Sequence, residues 1–205
     1  MKLQVAIDRV PLEQAKTLVT ALNEADIIEI GTSLSKDYGL DCIRQTKELK
    51  KTSQILVDIK TIDEGEYEFR QYFEAGADIL TVMGASAPET IAICYKVAQE
   101  YQKEIFIDLL ECSDERIEAI AHYEKAIYGM HFAKDSQKEI SVVEEVNRFT
   151  KRFPQIKRIA LAGSLNLEKV RALQATPLEI AIVGSAIVNQ SDPKSELQKY
   201  LEVTK

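Results

Sequence analysis

The chain has 205 residues, enough for one domain with a sizeable core and little beyond it. Apolar residues make up 45% and charged residues 29%, as in ordinary globular proteins, and no apolar run approaches the ~20 residues of a membrane span. The formal net charge of −7 argues against nucleic acid as a partner, because a binder of phosphate backbones presents a basic face.

The pattern alternates from the first residues onward, with short Val- and Ile-rich runs each followed by an amphipathic stretch. Met1–Val10 read as a strand and a turn, not as a secretory signal. The first strand is expected at Leu3–Asp8, with a helix from near Pro11. Next come a strand at Ile27–Ile30 and a helix from near Asp37, then a strand at Ile55–Lys60 and a helix from near Glu64. The segment from Phe73 to Asp78 reads as a helix end, a glycine cap at Gly76 and the start of a strand. That fourth strand is expected at Ile79–Val82, with a helix from near Ala87. A strand at Ile105–Leu110 precedes a helix capped by Ser113, and a strand at Ala126–His131 precedes a helix from near Lys138. The last two strands are expected at Ile159–Ala162 and Ile180–Val183, with helices from Leu167 and from Asp192–Pro193.

Eight such units with short connections predict a parallel sheet closed into a (β/α)8 TIM barrel, one catalytic domain over residues 1–205. The structural alternative is an open Rossmann-like sheet, but no GxGxxG follows the first strand. Cys42, Cys94 and Cys112 are far apart and form no CxxC pair. They read as reduced thiols of a cytoplasmic protein rather than a zinc or disulfide framework.

In such barrels chemistry gathers where strands end. The first strand ends at Asp8, the second carries Glu29, the third carries Asp58 and Lys60 before Asp63, and the sixth ends at His131. Asp58 and Lys60 are two apart and share one side of their strand, leaving Val57 and Ile59 for the helix layer. Buried charges need partners or a metal. Carboxylates at adjacent strand ends make a hard oxygen site suited to Mg²⁺, although an interior ion-pair network is the alternative. His131 is the candidate acid/base, unless it is merely a hydrogen-bonded rim histidine. His122 reads as a helix residue away from the chemistry. Gly163-Ser164 and Gly184-Ser185 fall at the seventh and eighth strand ends, where barrels commonly hold phosphate.

These residues sit in Ala6-Ile-Asp8, Ile28-Glu-Ile-Gly-Thr32, Asp58-Ile-Lys-Thr-Ile-Asp63, Glu74-Ala-Gly-Ala-Asp78 and Met130-His131, followed by Asp135-x-Gln137. With these motifs the whole chain resembles the 3-hexulose-6-phosphate synthases and the 3-keto-L-gulonate-6-phosphate decarboxylases of the orotidine-5′-phosphate decarboxylase group. The resemblance implies that Glu29 and Asp58 ligate Mg²⁺, and that Asp8 and Lys60 contact substrate oxygens near it. It implies that Asp63 is offered across a homodimer interface to the neighbouring site, that His131 transfers a proton, and that the Gly163 and Gly184 loops hold the phosphate of a small sugar substrate.

Between the two activities, the run from Asp58 to Tyr67 with Thr81–Ala85 resembles the synthases. The expectation is therefore a Mg²⁺-dependent aldehyde-lyase that condenses D-ribulose 5-phosphate with formaldehyde through an enediolate. The alternative is decarboxylation of 3-keto-L-gulonate 6-phosphate. A third reading, from another class, is a barrel that binds a sugar phosphate without turnover. Three residues depart from the synthase pattern. Lys134 is basic where the decarboxylases have Arg and the synthases generally have no basic residue. Ser164 and Ser185 stand where the synthases tend to have another glycine.

Overall fold

Strands form on the short apolar runs: β1 (Lys2–Ile7), β2 (Ile27–Ile30), β3 (Gln54–Thr61), β4 (Ile79–Met83), β5 (Glu104–Asp108), β6 (Ile127–His131), β7 (Ile159–Ala162) and β8 (Ile180–Val183). The computed structural model describes residues 1–131 and 141–205. Each strand pairs in parallel with the next, and β8 closes onto β1 through pairs such as Gln4↔Ile182. The sheet is thus a closed eight-stranded barrel, and the open-sheet alternative is excluded.

The helices are α1 (Leu12–Ala21), α2 (Thr32–Lys47), α3 (Gly65–Ala75), α4 (Pro88–Glu100), α5 (Asp114–Ile120), α6 (Val142–Arg152), α7 (Leu167–Leu173), α8 (Ser185–Val188) and α9 (Pro193–Thr204). Ser113, Ser141, Asn166 and Asp192 accept hydrogen bonds from first-turn N–H groups and so start their helices. The second helix departs from expectation. It begins at Thr32 rather than near Asp37, and its regular backbone breaks at Gly39. The sixth helix, expected from near Lys138, is described from Val142, and Lys138 lies outside the described residues. The short α8 is an addition that the sequence pattern does not announce.

Alternate residues of each strand point inward. Ile27, Leu56, Ile79, Phe106, Ile127, Ala160 and Ile180 make an apolar plug in the barrel. A larger cluster, including Val57, fills the space between sheet and helices, and Ile59 packs against it, as the two-residue spacing predicts. At the N-terminal end of the strands Arg158 pairs with Glu104 at 2.5 Å and Glu179 at 2.9 Å, and Gln54 donates to Glu104 at 3.0 Å. The plug therefore separates an ionic network below from the strand ends above. Gly129 is required where it stands, because a Cβ there would lie 2.1 Å from Phe106 Cε1.

Candidate active site

The centre of the upper face is an irregularity in β3. Pairing with β4 runs Leu56↔Ile79 and Val57↔Leu80, then resumes at Thr61↔Val82, so Asp58–Lys60 bulge out of the ladder. Lys60 has φ 49°, in the left-handed region, and its N–H donates to Thr81 Oγ1 at 2.9 Å. Bulges re-aim side chains beside active sites. Here the bulge sets Lys60 Nζ 2.6 Å from Asp108 Oδ2 and 3.3 Å from Asp58 Oδ2.

Both carboxylates are themselves held. Asp58 accepts from Thr81 Oγ1 at 2.9 Å and Thr32 Oγ1 at 2.6 Å. Asp108, 4% exposed at the end of β5, accepts from the Leu110 N–H at 2.9 Å. Burial alone would pull the Lys60 ammonium down. The two carboxylates outweigh that and hold it above its ordinary value, so Lys60 is a fixed positive charge.

Glu29 stands beside this cluster on β2, where its Oε2 accepts from Gln4 Nε2 at 2.7 Å. Burial first, and then the Asp58 charge, push its carboxyl up to about 8. Asp8 lies on the other side. Its Oδ1 accepts from the N–H groups of Ser33 (3.0 Å) and Leu34 (3.3 Å), so a carboxylate just past the end of β1 caps α2. Gly31 makes room for it, since a Cβ there would meet Asp8 Cβ at 2.6 Å.

The donor set fits a divalent cation. Glu29 and Asp58 are oxygen donors on adjacent strands, and their mutual repulsion is relieved only in part by Lys60. Among the described residues no group of three or more His, Cys, Asp or Glu clusters as a metal site. Mg²⁺ takes one or two protein carboxylates and completes its shell with water or substrate oxygens, so the Glu29–Asp58 pair is the contribution that the chain would make to such a site.

The remaining candidates are spread around the rim. His131 ends β6, exposed and paired in register with Ala162. It lies on the inward side, two residues beyond Gly129, which faces Phe106 inside the barrel. His122 lies just past α5, exposed, with Nδ1 3.1 Å from Ala119 O. Asp63 is exposed in the loop between β3 and α3, where its Oδ1 accepts from the Glu64 N–H at 2.9 Å. The structure does not join it to the Asp58–Lys60–Asp108 cluster within one chain. Gly163 (φ 129°) and Ser164 (φ 48°) turn the chain after β7, and Gly184 and Ser185 open α8 after β8. Lys134, with Asp135 and Gln137, lies outside the described residues.

Sequence reasoning does not single out Asp108, Thr32, Thr81 or Gln4. The strand was expected to run to Leu110, which left Asp108 inside it; β5 in fact ends at Asp108, where the strand-end rule would have selected it. Thr32 and Thr81 become visible only through their bonds to Asp58.

A closed parallel barrel with its charged groups gathered at the C-terminal strand ends defines a (β/α)8-barrel enzyme. The chain belongs to the orotidine 5'-phosphate decarboxylase / HUMPS family, whose model matches residues 1–200. It is a lyase, in keeping with the 3-hexulose-6-phosphate synthases named among its relatives. It is 33% identical over 197 residues to the 3-hexulose-6-phosphate synthase of Mycobacterium gastri, covering 94% of each chain. The crystal structure of 3-hexulose-6-phosphate synthase from Salmonella typhimurium superposes with a TM-score of 0.89 at 29% identity, covering 99% of this chain and 98% of that one. KGPDC from Streptococcus mutans, solved as a ligand complex, shares the fold at a TM-score of 0.88 and 20% identity, with 98% and 95% covered. Among the described residues no helix is long and apolar enough to cross a membrane.

Proposed function

We propose that the chain is a 3-hexulose-6-phosphate synthase-like aldehyde-lyase, joining formaldehyde to D-ribulose 5-phosphate in a Mg²⁺-dependent reaction. The observation that carries this reading is the Asp58–Lys60–Asp108 cluster beside Glu29: one fixed ammonium and a metal-ready carboxylate pair at one barrel mouth. The likeness to named synthases along nearly the whole chain supports it.

Glu29 and Asp58 hold the cation, which when bound supplies a Lewis acid for the substrate's ketone and hydroxyl oxygens. Asp8 and Lys60 contact substrate oxygens, and Lys60 places its charge where the enediolate's negative charge develops. His131 removes the C1 proton. The enediolate C1 then attacks the formaldehyde carbon, a C–C bond forms, and the former formaldehyde oxygen takes up a proton. Gly163, Ser164, Gly184 and Ser185 face the phosphate with backbone N–H groups and two hydroxyls. The site is shared in a homodimer, with Asp63 serving the partner's mouth. Ile62 and Tyr67, 56% and 67% exposed beside it, are large apolar side chains suited to an interface. The three thiols, free in the structure, suit a reducing cytoplasm.

Purified protein is to be assayed on D-ribulose 5-phosphate with formaldehyde and on 3-keto-L-gulonate 6-phosphate, each with Mg²⁺ and with chelator. Condensation in Mg²⁺ only is the expected result. Asp58→Asn and Glu29→Gln should each lower it by ~10²-fold or more, the scale of one electrostatic group at a reacting centre. Faster decarboxylation than condensation would replace the synthase with the decarboxylase. Tight binding of the sugar phosphate with no turnover of either substrate would make the barrel a binding protein.

A further inference from the structure

Gln4 stands in the barrel interior at the register of Ile27 on β2 and Ile182 on β8, and it is 1% exposed. Its two amide atoms fare differently. Nε2 donates to Glu29 Oε2 at 2.7 Å. Oε1 is buried with no hydrogen-bond partner, the one such side-chain atom among the described residues.

An unmatched buried acceptor destabilises the fold, and native proteins keep very few. An apolar side chain like its isoleucine neighbours would fill this layer without that cost. The packing of the layer therefore gives no reason for an amide at position 4. What the amide alone supplies is the N–H that meets Glu29. An ionised carboxylate at this position could not donate it.

We infer that Gln4 is a positioning residue for Glu29 and sets the affinity of the site for a divalent cation. Held at Oε2 from the layer beneath, the Glu29 carboxylate cannot rotate freely, and Oε1 remains as its ligand oxygen. Partners of this kind around metal ligands fix the ligand's orientation and sharpen affinity. The inference rests on the proposal that Glu29 and Asp58 hold the cation.

The test uses substrate-free protein with Mn²⁺ as the probe, free Mn²⁺ being read from its electron paramagnetic resonance signal. Wild type, Gln4→Met, Gln4→Leu and Asp58→Asn are titrated side by side, and each is melted in chelator. Both Gln4 variants should bind Mn²⁺ about tenfold more weakly, the lower end of the range for losing a ligand's hydrogen-bond partner. Their melting temperatures in chelator should equal or exceed that of wild type, because the orphaned oxygen is gone. Unchanged Mn²⁺ affinity in both variants, with binding lost in Asp58→Asn, would overturn the role of Gln4 alone. A clear fall in both melting temperatures would also overturn it, since the amide would then be holding the fold. No Mn²⁺ binding by wild type, or full binding by Asp58→Asn, would remove the metal reading and this inference with it.

Discussion

The chain's two histidines occupy opposite situations, and that contrast gives a sharp residue-level test. His131 ends β6 on the inward side of the barrel mouth, whereas His122 lies past α5 with its ring against Ala119 O. His131→Asn should abolish exchange of the C1 proton of D-ribulose 5-phosphate in deuterated buffer. It should leave the substrate dissociation constant within about threefold of wild type, because the proposed phosphate and metal contacts do not involve this ring. His122→Asn should change neither quantity. Equal behaviour of the two variants would remove His131 from proton transfer. At this scale the sequence is informative where a side chain's neighbour is local. Asp58 and Lys60 declare a shared face by their spacing, and the 3.3 Å contact between them agrees. Asp108 is harder to read, because its significance comes from Lys60 reaching across from β3 to β5. Gln4 is harder still. In the run Lys2–Ile7 it looks like one polar residue in a strand, and only the register of β1 against β2 sets it beneath Glu29.

At the scale of elements, the motif from Glu74 to Asp78 turns out to be structural rather than chemical. α3 closes at Gly76, and two residues on Asp78 is clamped between Lys50 and Lys103 while accepting the Ile55 N–H at 2.9 Å. Burial would raise this carboxyl, but the hydrogen bonds from Lys103, Lys50 and Ile55 win and lower it. A carboxyl lowered on folding adds stability that is complete above its unfolded value and is lost as pH falls through the folded one. Asp78→Asn should therefore cost about 2–3 kcal/mol near pH 7, less than a fully buried pair because both ammonium groups reach solvent. The gap from wild type should shrink by about pH 3, as read by urea denaturation. A gap of constant size across that range would show that the charge is not what stabilises. Gly129 offers a second test. Gly129→Ala drives a Cβ into the Phe106 ring and should cost about 1–3 kcal/mol, and adding Phe106→Leu should return part of it. Full additivity of the two losses would mean that the two residues do not meet. Two helix starts were legible from a local cap, at Ser113 and Asp192. The start of α2 was not, because its cap is Asp8, supplied from another strand.

For the whole molecule, the regular alternation of strand and helix made the barrel legible, since eight parallel strands with short connections have one economical closure. What alternation cannot convey is how a second copy would dock, because that depends on surface residues with no periodicity of their own. Asp63 is the case in point: exposed, bonded among the described residues to the Glu64 N–H alone, and flanked by exposed Ile62 and Tyr67. If it serves the partner's site, two-fold symmetry makes the service reciprocal. Asp63→Asn and His131→Asn, each inactive alone, can then be unfolded and refolded together in equal amounts. In a mixed dimer one site draws its histidine from the first variant and its aspartate from the second, and so is intact, while the other carries both lesions. Random pairing makes about half the dimers mixed, each with one good site in two, so activity should return to about a quarter of wild type. If both residues act within one chain, every site keeps a lesion and mixing restores nothing. Dimers shown by mass to be mixed and yet inactive would confine Asp63 to its own chain. Its exposure beside Ile62 and Tyr67 would then need another partner to explain it.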